Sequence, residues 1–596
     1  MPSYDPPLRD MQFVLHEVLG VSSCRDVPRF AELGPELVDA ILAEAGRFAR
    51  DVAAPLNRSG DEQGCTWDDG AVRTPDGFRE AYRQYADGGW QGLCASPAHG
   101  GQGLPGVLRM PVTEMLTSAN WGFSSYPGLT THAMTPIEKF GAGPLQSLYL
   151  PKMAAGCWSA TMNLTEPHCG TDLGLLRTRA VPAGDGGYRL TGTKIFITAG
   201  EHDLTENIVH LVLARIEGAP AGPRGISLFL VPKFLPDAAG NPGARNGVRC
   251  ARIEHKMGIH SSSTCELVYQ DAVGWLVGEP NRGLAAMFVM MNEARIGAGL
   301  QGVAIAEVAY QNAVAYARTR LQGRAPGAPA NPTGPADPII VHPDVRRMLL
   351  TIRAFAEGAR ALCYWCGLQA DFAEQHPDQA ARRRAEDLLD ALTPVVKACL
   401  TDQGVESASL AIQCLGGHGY VREWGLEQFL RDARIAPIYE GTNGVQAMDL
   451  VGRKLFLHGG RCMDTLFDVV SEFCADAGPD ASVAELLPQL ERLLAETREA
   501  TRHLQSRVPG EPALAGAVAY DYMSLVGLLA MGYTWARMYR VARARLAAGA
   551  AEEAFYAAKL STARFFFARF LPMAGVHLAR IHSGAGPVME LPGERL

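Results

Sequence analysis

The chain has 596 residues, 47% hydrophobic and 20% charged, with a net charge of −8; that length exceeds what one compact core organises, so several domains are expected. The acidic balance and the lack of a long Lys/Arg stripe argue against nucleic acid as the main partner, because phosphate neutralisation supplies most of that affinity. No stretch reaches the roughly 20 unbroken apolar residues that cross a bilayer, and the opening MPSYDPPLRDMQF has the order of neither a secretory signal nor a transit peptide, so a cytoplasmic protein without an integral membrane segment is expected.

Residues 1–156 read as a helical domain. The stretch from Pro35 to Asp51 places Leu37, Val38, Ile41, Leu42 and Phe48 on an apolar stripe, and Gly100 to Gly106 reads as a loop. From about Cys157 to residue 282 the period changes to short β-rich runs, Tyr188–Thr198, Ile208–Ile216 and Ile226–Phe234, separated by turns such as Asp185-Gly186-Gly187. This block reads as an antiparallel barrel or sandwich. Helical periodicity returns over 283–458, first to Leu321 and then over about 344–376 and 379–415. The Pro/Gly/Ala-rich stretch Gly323 to Pro338 forms a loop or linker between two of these helices. Cys363 and Cys366, the one CxxC among 13 scattered cysteines, lie in apolar helical sequence with no second Cys/His pair at zinc spacing, so packing is their better reading and no metal is expected. Residues 459–596 read as three or four further helices forming an additional domain. The stripe Phe565, Phe566, Phe567 and Phe570 there is read as core or subunit contact in preference to a membrane-docking face. The fold class is thus mainly α with a central β domain.

Three distant segments mix Gly with hydroxyl and acidic residues: MNLTEPHCGTD at 162–172, KIFITAG at 194–200, and the stretch 416–446 containing IYEGTNGVQ. A loop such as Thr165 to Thr171 can offer backbone N–H groups and hydroxyls to a polar ligand, or it can be an ordinary turn. No GxGxxG follows a strand and no GxxxxGK[ST] is present, which removes Rossmann and P-loop nucleotide sites. Glu440 stands between the apolar approach Ala436-Pro437-Ile438-Tyr439 and Gly441-Thr442 at the start of a helix. Partial desolvation there would raise its pKa and suit it to general-base work; capping the helix is the alternative.

In order and spacing, these segments resemble the acyl-CoA dehydrogenase family over roughly residues 30–455. MNLTEPHCGTD looks like the family's flavin loop, with Thr171 for the common Ser. The resemblance implies FAD contacts from Met162, Leu164, Thr165, Gly170 and Thr171, with Thr171 also facing the substrate. KIFITAG is similar to KxWITNG, which implies that Phe196 flanks the isoalloxazine and Thr198 hydrogen-bonds it. HKMGIHSSSTCEL and VGEPNRGL resemble the end of the β domain and the turn that feeds the bundle. NEAR matches the segment beside the thioester, which implies substrate contacts from Asn292 and Arg295 and, with IYEGT, from Tyr439 and Gly441. Some relatives carry their base on that helix at a position that is Ala294 here, which leaves Glu440 as the implied base.

ARTRLQG is similar to the ERxxFG element, so Arg320 and Gln322 are implied contacts to the FAD of a neighbouring subunit; a guanidinium suits a diphosphate. Gln413, Gly416 and Gly417 match the loop around the adenosine half, and Thr442 and Gln446 are implied flavin contacts, Gln446 standing in for Gly444. The usual HQ reads His342-Pro343. The resemblance implies a fold of N-terminal helical domain, middle β domain and four-helix bundle, assembled as a homodimer or dimer of dimers. The region after 459 and the opening PPLRDMQFVLHEVL resemble the long-form branch that includes 3-methylmercaptopropionyl-CoA dehydrogenase.

The activity implied by the resemblance is that of an FAD-dependent enzyme of fatty acid metabolism. Glu440 would take the α-proton of an acyl-CoA, a hydride would leave the β-carbon for the flavin to give a trans-2-enoyl-CoA, and the electrons would pass to electron-transfer flavoprotein. Alternatives on the same fold are an acyl-CoA oxidase, a flavin monooxygenase or a non-enzymatic DNA-binding member; the acidic charge and an intact Glu440 count against the last.

Overall fold

The computed structural model describes residues 2–184, 186–478, 480 and 483–596; Asp185 of the expected turn lies outside them. The chain divides into two compact units, one of residues 44–105 and 115–294, the other of residues 1–43, 106–114 and 295–596.

The first unit combines helices with a seven-stranded sheet in the order Val248–Ile253, Thr264–Val277, Tyr188–Thr198, Arg179–Pro182, Asn207–Ile216, Trp158–Asn163. Strand Ile226–Pro232 pairs with both Thr264–Val277 and Asn207–Ile216, and this closes the sheet into a ring. Most pairings are antiparallel, as expected. Asn207–Ile216 departs from that expectation: it runs parallel to both Trp158–Asn163 and Arg179–Pro182, because its connections to them are long rather than hairpin turns.

Side chains alternate between two cores. Leu211, Leu213, Leu228 and Leu230 join Ile137, Tyr149 and Met153 from the helices Trp121–Phe140 and Gly143–Ala154, whereas Val212, Ala214, Phe229 and Val231 join Leu190, Leu267 and Tyr269 within the sheet. Both faces of the Asn207–Ile216 and Ile226–Pro232 strands are therefore covered, which is why they read as continuous apolar runs. A two-stranded hairpin, Thr66–Asp68 with Ala71–Arg73, interrupts the otherwise helical N-terminal region.

The second unit is helical. Its long helices in the middle of the chain are Gly283–Thr319 from Arg295 onward, Pro343–Gln375 and Gln379–Leu415. Where Gly283–Thr319 meets Gln379–Leu415, the backbones touch: a Cβ at Gly302 would stand 2.2 Å from the Leu400 carbonyl oxygen, and one at Gly404 would stand 2.6 Å from the Gly302 Cα. Glycine is needed at both because the helices approach more closely than side chains allow.

The 323–338 stretch is a closed loop. Gln322 N–H donates to Asp337 O and Asp337 N–H to Gly323 O, both at 2.9 Å, and the fully buried Asp337 carboxylate accepts from the Ala325 and Asn331 N–H groups.

Among the described residues beyond 459 there are five helices of eleven residues or more, Arg461–Ala477, Leu487–Arg507, Pro512–Ala547, Glu553–Arg569 and Met573–Ser583, against the three or four expected. Met573–Ser583 is the addition; the apolar run into RFFFARF masks the break before it. Phe566 and Phe567 are each 1% exposed and belong to the core, whereas Phe565 and Phe570 of the aromatic stripe are half-buried. Pro512–Ala547 is, among the described residues, long and apolar enough to cross a membrane, but most of it is buried within its unit. Trp535 on it donates to the Ala354 carbonyl at 3.0 Å, filling the space left by Gly358 on Pro343–Gln375.

Candidate active site

Within the helical unit, the turn after the helix Leu426–Ala433 carries Tyr439, Glu440 and Gly441 into the short helix Asn443–Asp449. Glu440 is left-handed, with φ of 56°, and Gly441 follows at 81°. A left-handed backbone at a non-glycine residue costs of order 1–3 kcal/mol and persists only where the surroundings over-determine it. Here they do. Gln446, itself buried, donates its amide N–H groups to the carbonyls of Glu440 at 3.2 Å and Gly441 at 3.4 Å, and a Cβ at Gly441 would come within 2.6 Å of that amide nitrogen. Arg295 Nε donates to the same Glu440 carbonyl at 3.4 Å, and Thr442 caps the helix by accepting from Val445 N–H. Tyr439 is held by its hydroxyl on Gln301.

The backbone of Glu440 is thus saturated while its side chain is not: Oε2 is withdrawn from solvent and has no hydrogen-bond partner among the described residues. Burial pushes the carboxyl up to about 7, against the pull of Arg295 and Lys397. Arg295 is lowered from its ordinary value by burial, opposed by Asp449 and Glu440. The helix-capping reading of Glu440 gives way to this geometry, since Thr442 does the capping. A carboxylate whose proton affinity lies near neutrality, with one oxygen unengaged, is suited to taking a proton from carbon.

A second group in this unit gathers at the ends of two long helices. Arg320 and Gln322 are exposed just after Gly283–Thr319, and Gln413, Gly416 and Gly417 are exposed at the end of Gln379–Leu415. Tyr316 hydroxyl on His418 Nδ1, at 2.9 Å, ties the two ends together, and the His418 ring stacks on Trp424. No atom lies within 4 Å of where a Cβ would stand on Gly416, Gly417 or Gly444, so the backbone there is open to a close-fitting ligand.

The sheet unit carries the rest. Met162 is the last residue but one of the strand Trp158–Asn163, and the loop through Leu164, Thr165, Gly170 and Thr171 is stitched to the strand Tyr188–Thr198 by Ile195 N–H to Thr165 O at 3.0 Å. Its pin is Glu166, which is buried and accepts from Lys194 Nζ at 2.9 Å, Thr178 Oγ1 at 2.5 Å, and the N–H groups of Arg177 and Thr178. Burial would raise that carboxyl, but Lys194 and the donors around it hold it below its ordinary range. Glu166, with His168 and Cys169, could form a three-ligand cluster, but these hydrogen bonds already occupy its carboxylate.

Phe196 has φ of 59° inside a strand and is 60% exposed. The register explains it: Cys265 faces Ile197 while Leu267 faces Lys194, so the Phe196 strand carries one extra residue there. A bulge of this kind re-aims a side chain, and here it leaves the Phe196 ring exposed. Thr198 pairs with Thr264 just beyond it. Asn292, exposed, belongs to this unit, three residues before Arg295 on the same helix.

Sequence patterns alone did not single out Lys194 with Glu166, or Lys397 with Asn443. Lys397 is fully buried and donates to Asn443 Oδ1 at 2.8 Å. A lone lysine in the apolar run Val395-Val396-Lys397-Ala398-Cys399-Leu400 was the available signal.

Family models match in chain order: acyl-CoA dehydrogenase N-terminal domain over residues 36–157, middle domain over 161–272, C-terminal domain over 281–455, and acetyl-CoA dehydrogenase C-terminal-like over 466–592. A 3-methylmercaptopropionyl-CoA dehydrogenase of Ruegeria pomeroyi is 42% identical, covering 97% of this chain and 98% of its own. The broad-specificity linear acyl-CoA dehydrogenase FadE5 of Mycobacterium tuberculosis is 34% identical, covering 99% of both. Among solved structures, an acyl-CoA dehydrogenase complexed with FAD from Bacillus anthracis shares the fold with a TM-score of 0.74 at 21% identity, over 94% of this chain and 90% of that one.

Proposed function

We propose that this chain, which belongs to the acyl-CoA dehydrogenase family, uses Glu440 as the base that removes the α-proton of a linear acyl-CoA thioester. The chain is a flavin-dependent oxidoreductase, its cofactor is FAD and its reaction is acyl-CoA dehydrogenation. The observation that carries the assignment of the base is the Glu440 carboxylate, partnerless at Oε2 and raised to about 7 by burial.

The residues fit the cofactor. Phe196 offers an exposed aromatic face, and Thr165, Thr171 and Thr198 offer hydroxyls. Arg320 offers a bidentate cation for diphosphate, and Gly416 and Gly417 offer open backbone. Met162, Leu164, Gly170, Gln322, Gln413, Thr442 and Gln446 complete the set, with Gln446 acting through the turn it holds. When bound, FAD accepts the hydride that leaves the β-carbon.

The chain does the rest. In the helical unit Arg295, Tyr439 and Gly441 receive the thioester end, and the Glu440 backbone N–H polarises its carbonyl; Thr171 and Asn292 are the substrate contacts proposed for the sheet unit. That polarisation acidifies the α-carbon, and the Glu440 carboxylate takes the proton as the enoyl double bond forms. The acyl group we assign is unbranched, the chemistry shared by the names of both full-length relatives. Electrons then leave to an electron-transfer flavoprotein, from a homodimer or dimer of dimers, in the cytoplasm.

The test is anaerobic bleaching of the holoenzyme's flavin by a panel of linear acyl-CoA thioesters, with Glu440→Gln alongside. Bleaching that is lost in the variant supports the assignment; a variant that still bleaches overturns it. Admitting air afterwards separates a dehydrogenase from an oxidase by the speed of flavin reoxidation.

A further inference from the structure

Asn443 is the first residue of the helix that follows Glu440, and its amide is 4% exposed and saturated. Its Oδ1 accepts from Lys397 Nζ at 2.8 Å and Thr401 Oγ1 at 3.3 Å; its Nδ2 donates to Ala398 O at 3.1 Å, Thr401 Oγ1 at 3.0 Å and Asp402 Oδ1 at 2.8 Å. Lys397 can only donate, so the amide has one tolerable orientation, Oδ1 toward the ammonium and Nδ2 toward Asp402, whose carboxyl burial raises against the pull of Tyr520, Asn443 and Lys397. Asp402 is held in turn by the hydroxyl of Tyr520, which lies on Pro512–Ala547 in the helical region after residue 459. A hydrogen-bonded series thus runs from those C-terminal helices to the ammonium that acts on Glu440.

The arrangement has a consequence for the base. A buried ammonium beside a buried carboxylate gains most by direct contact, yet Glu440 Oε2 has no hydrogen-bond partner among the described residues, while the ammonium is engaged by Asn443. We propose that Lys397 is a positioning residue, held back from contact with Glu440 by Asn443, Asp402 and Tyr520, so that it favours the carboxylate's charge without occupying the oxygen that takes the proton. This rests on Glu440 being the base.

The charged groups facing the pair come from several elements. Arg295 and Lys397 face Glu440; Glu440, Asp402 and Arg295 face Lys397; Asp449 and Arg453 face Arg295; and Lys397, Arg434 and Tyr520 face Asp402. Burial pulls Lys397 down to about 8, opposed by Glu440 and Asp402, so near neutral pH it is still mostly an ammonium.

The two ends of the series predict opposite effects. Lys397→Met removes the cation and moves the acid limb of the pH dependence of flavin bleaching upward by about one unit. Asn443→Ala, and more mildly Tyr520→Phe, release the ammonium toward Glu440, move that limb downward and slow bleaching at high pH. The experiment measures anaerobic bleaching rates of each holoenzyme against pH, with flavin content and thermal unfolding confirming an intact fold; Tyr520→Phe, a surface substitution, remains informative if Asn443→Ala does not fold. Opposite displacements for Lys397→Met and Tyr520→Phe support the proposal. Limbs that stay at the parental position, or all move the same way, overturn it. Glu440→Gln run in parallel separates the two readings: if it bleaches normally, the base assignment has failed, whereas if it is inactive and the limbs do not move, only the role of Lys397 has failed.

Discussion

Arg360 and Glu440 are both withdrawn charges of one helical unit, and their surroundings are opposite. The Arg360 guanidinium, fully buried, meets Asp10, Glu114 at 2.6 Å and Glu307 at 2.7 Å. Tyr364 donates to the far oxygen of Glu114 at 2.7 Å, and Asp10 continues to Lys559. Burial alone would raise the Asp10 carboxyl, but Lys559 and Arg360 hold it below its ordinary range; at Glu114 burial outweighs Arg360 and Tyr364 and the carboxyl is raised, yet both of its oxygens are hydrogen-bonded. The cluster joins the N-terminal segment, two long helices and the Glu553–Arg569 helix, residues far apart in sequence. Around Glu440 the polar contacts stop at the backbone, and one carboxylate oxygen has no hydrogen-bond partner among the described residues. A complete set of partners fixes a fold, whereas an incomplete set leaves a group able to exchange a proton.

The comparison breaks most visibly at Glu440 itself. Glu440→Gln should lower the rate of flavin bleaching by roughly 10⁴-fold, with the fold intact by circular dichroism; a loss comparable to that of a surface substitution would erase the distinction. Next comes Arg360→Met, which leaves Asp10, Glu114 and Glu307 facing one another and should cost about 3–5 kcal/mol in thermal or urea unfolding.

Glu440→Gln also tests stability, with a sign opposite to that of Arg360→Met. Because the folded carboxyl is raised to about 7, the protonated form contributes stability that is fully present below the unfolded value and is lost as pH rises through 7. The glutamine variant should match the parent near pH 4 and exceed it at pH 8 to 9, by up to about 3 kcal/mol. Tyr364→Phe, which removes one donor from buried Glu114, should cost about 1–3 kcal/mol. Smallest is Arg47→Ala, which deletes an exposed pair with Glu44 and should change stability by less than about 0.5 kcal/mol.

Local signals in the sequence reached far into this protein. Helix 379–415 falls where its periodicity and its Gly-rich terminus put it, since a helix's apolar spacing and its stop are written in neighbouring residues. The strands Tyr188–Thr198 and Asn207–Ile216 are also where expected, within a residue. Glu440 could be singled out because an acid between an apolar run and a glycine is a local pattern.

What the sequence by itself determined, then, was the succession of helical, sheet and helical stretches, the lengths of the long helices, and motifs whose spacing is fixed along the chain. Tertiary structure decided the rest. The parallel pairings of Asn207–Ile216 depend on which strand lies alongside, and the bulge at Phe196 depends on register against Thr264–Val277. The Arg360 cluster unites residues 350 positions apart, and the Tyr520–Asp402–Asn443–Lys397 series spans three helices. Partners so distant leave no periodic trace, because a hydrogen bond between helices constrains only the two side chains that meet.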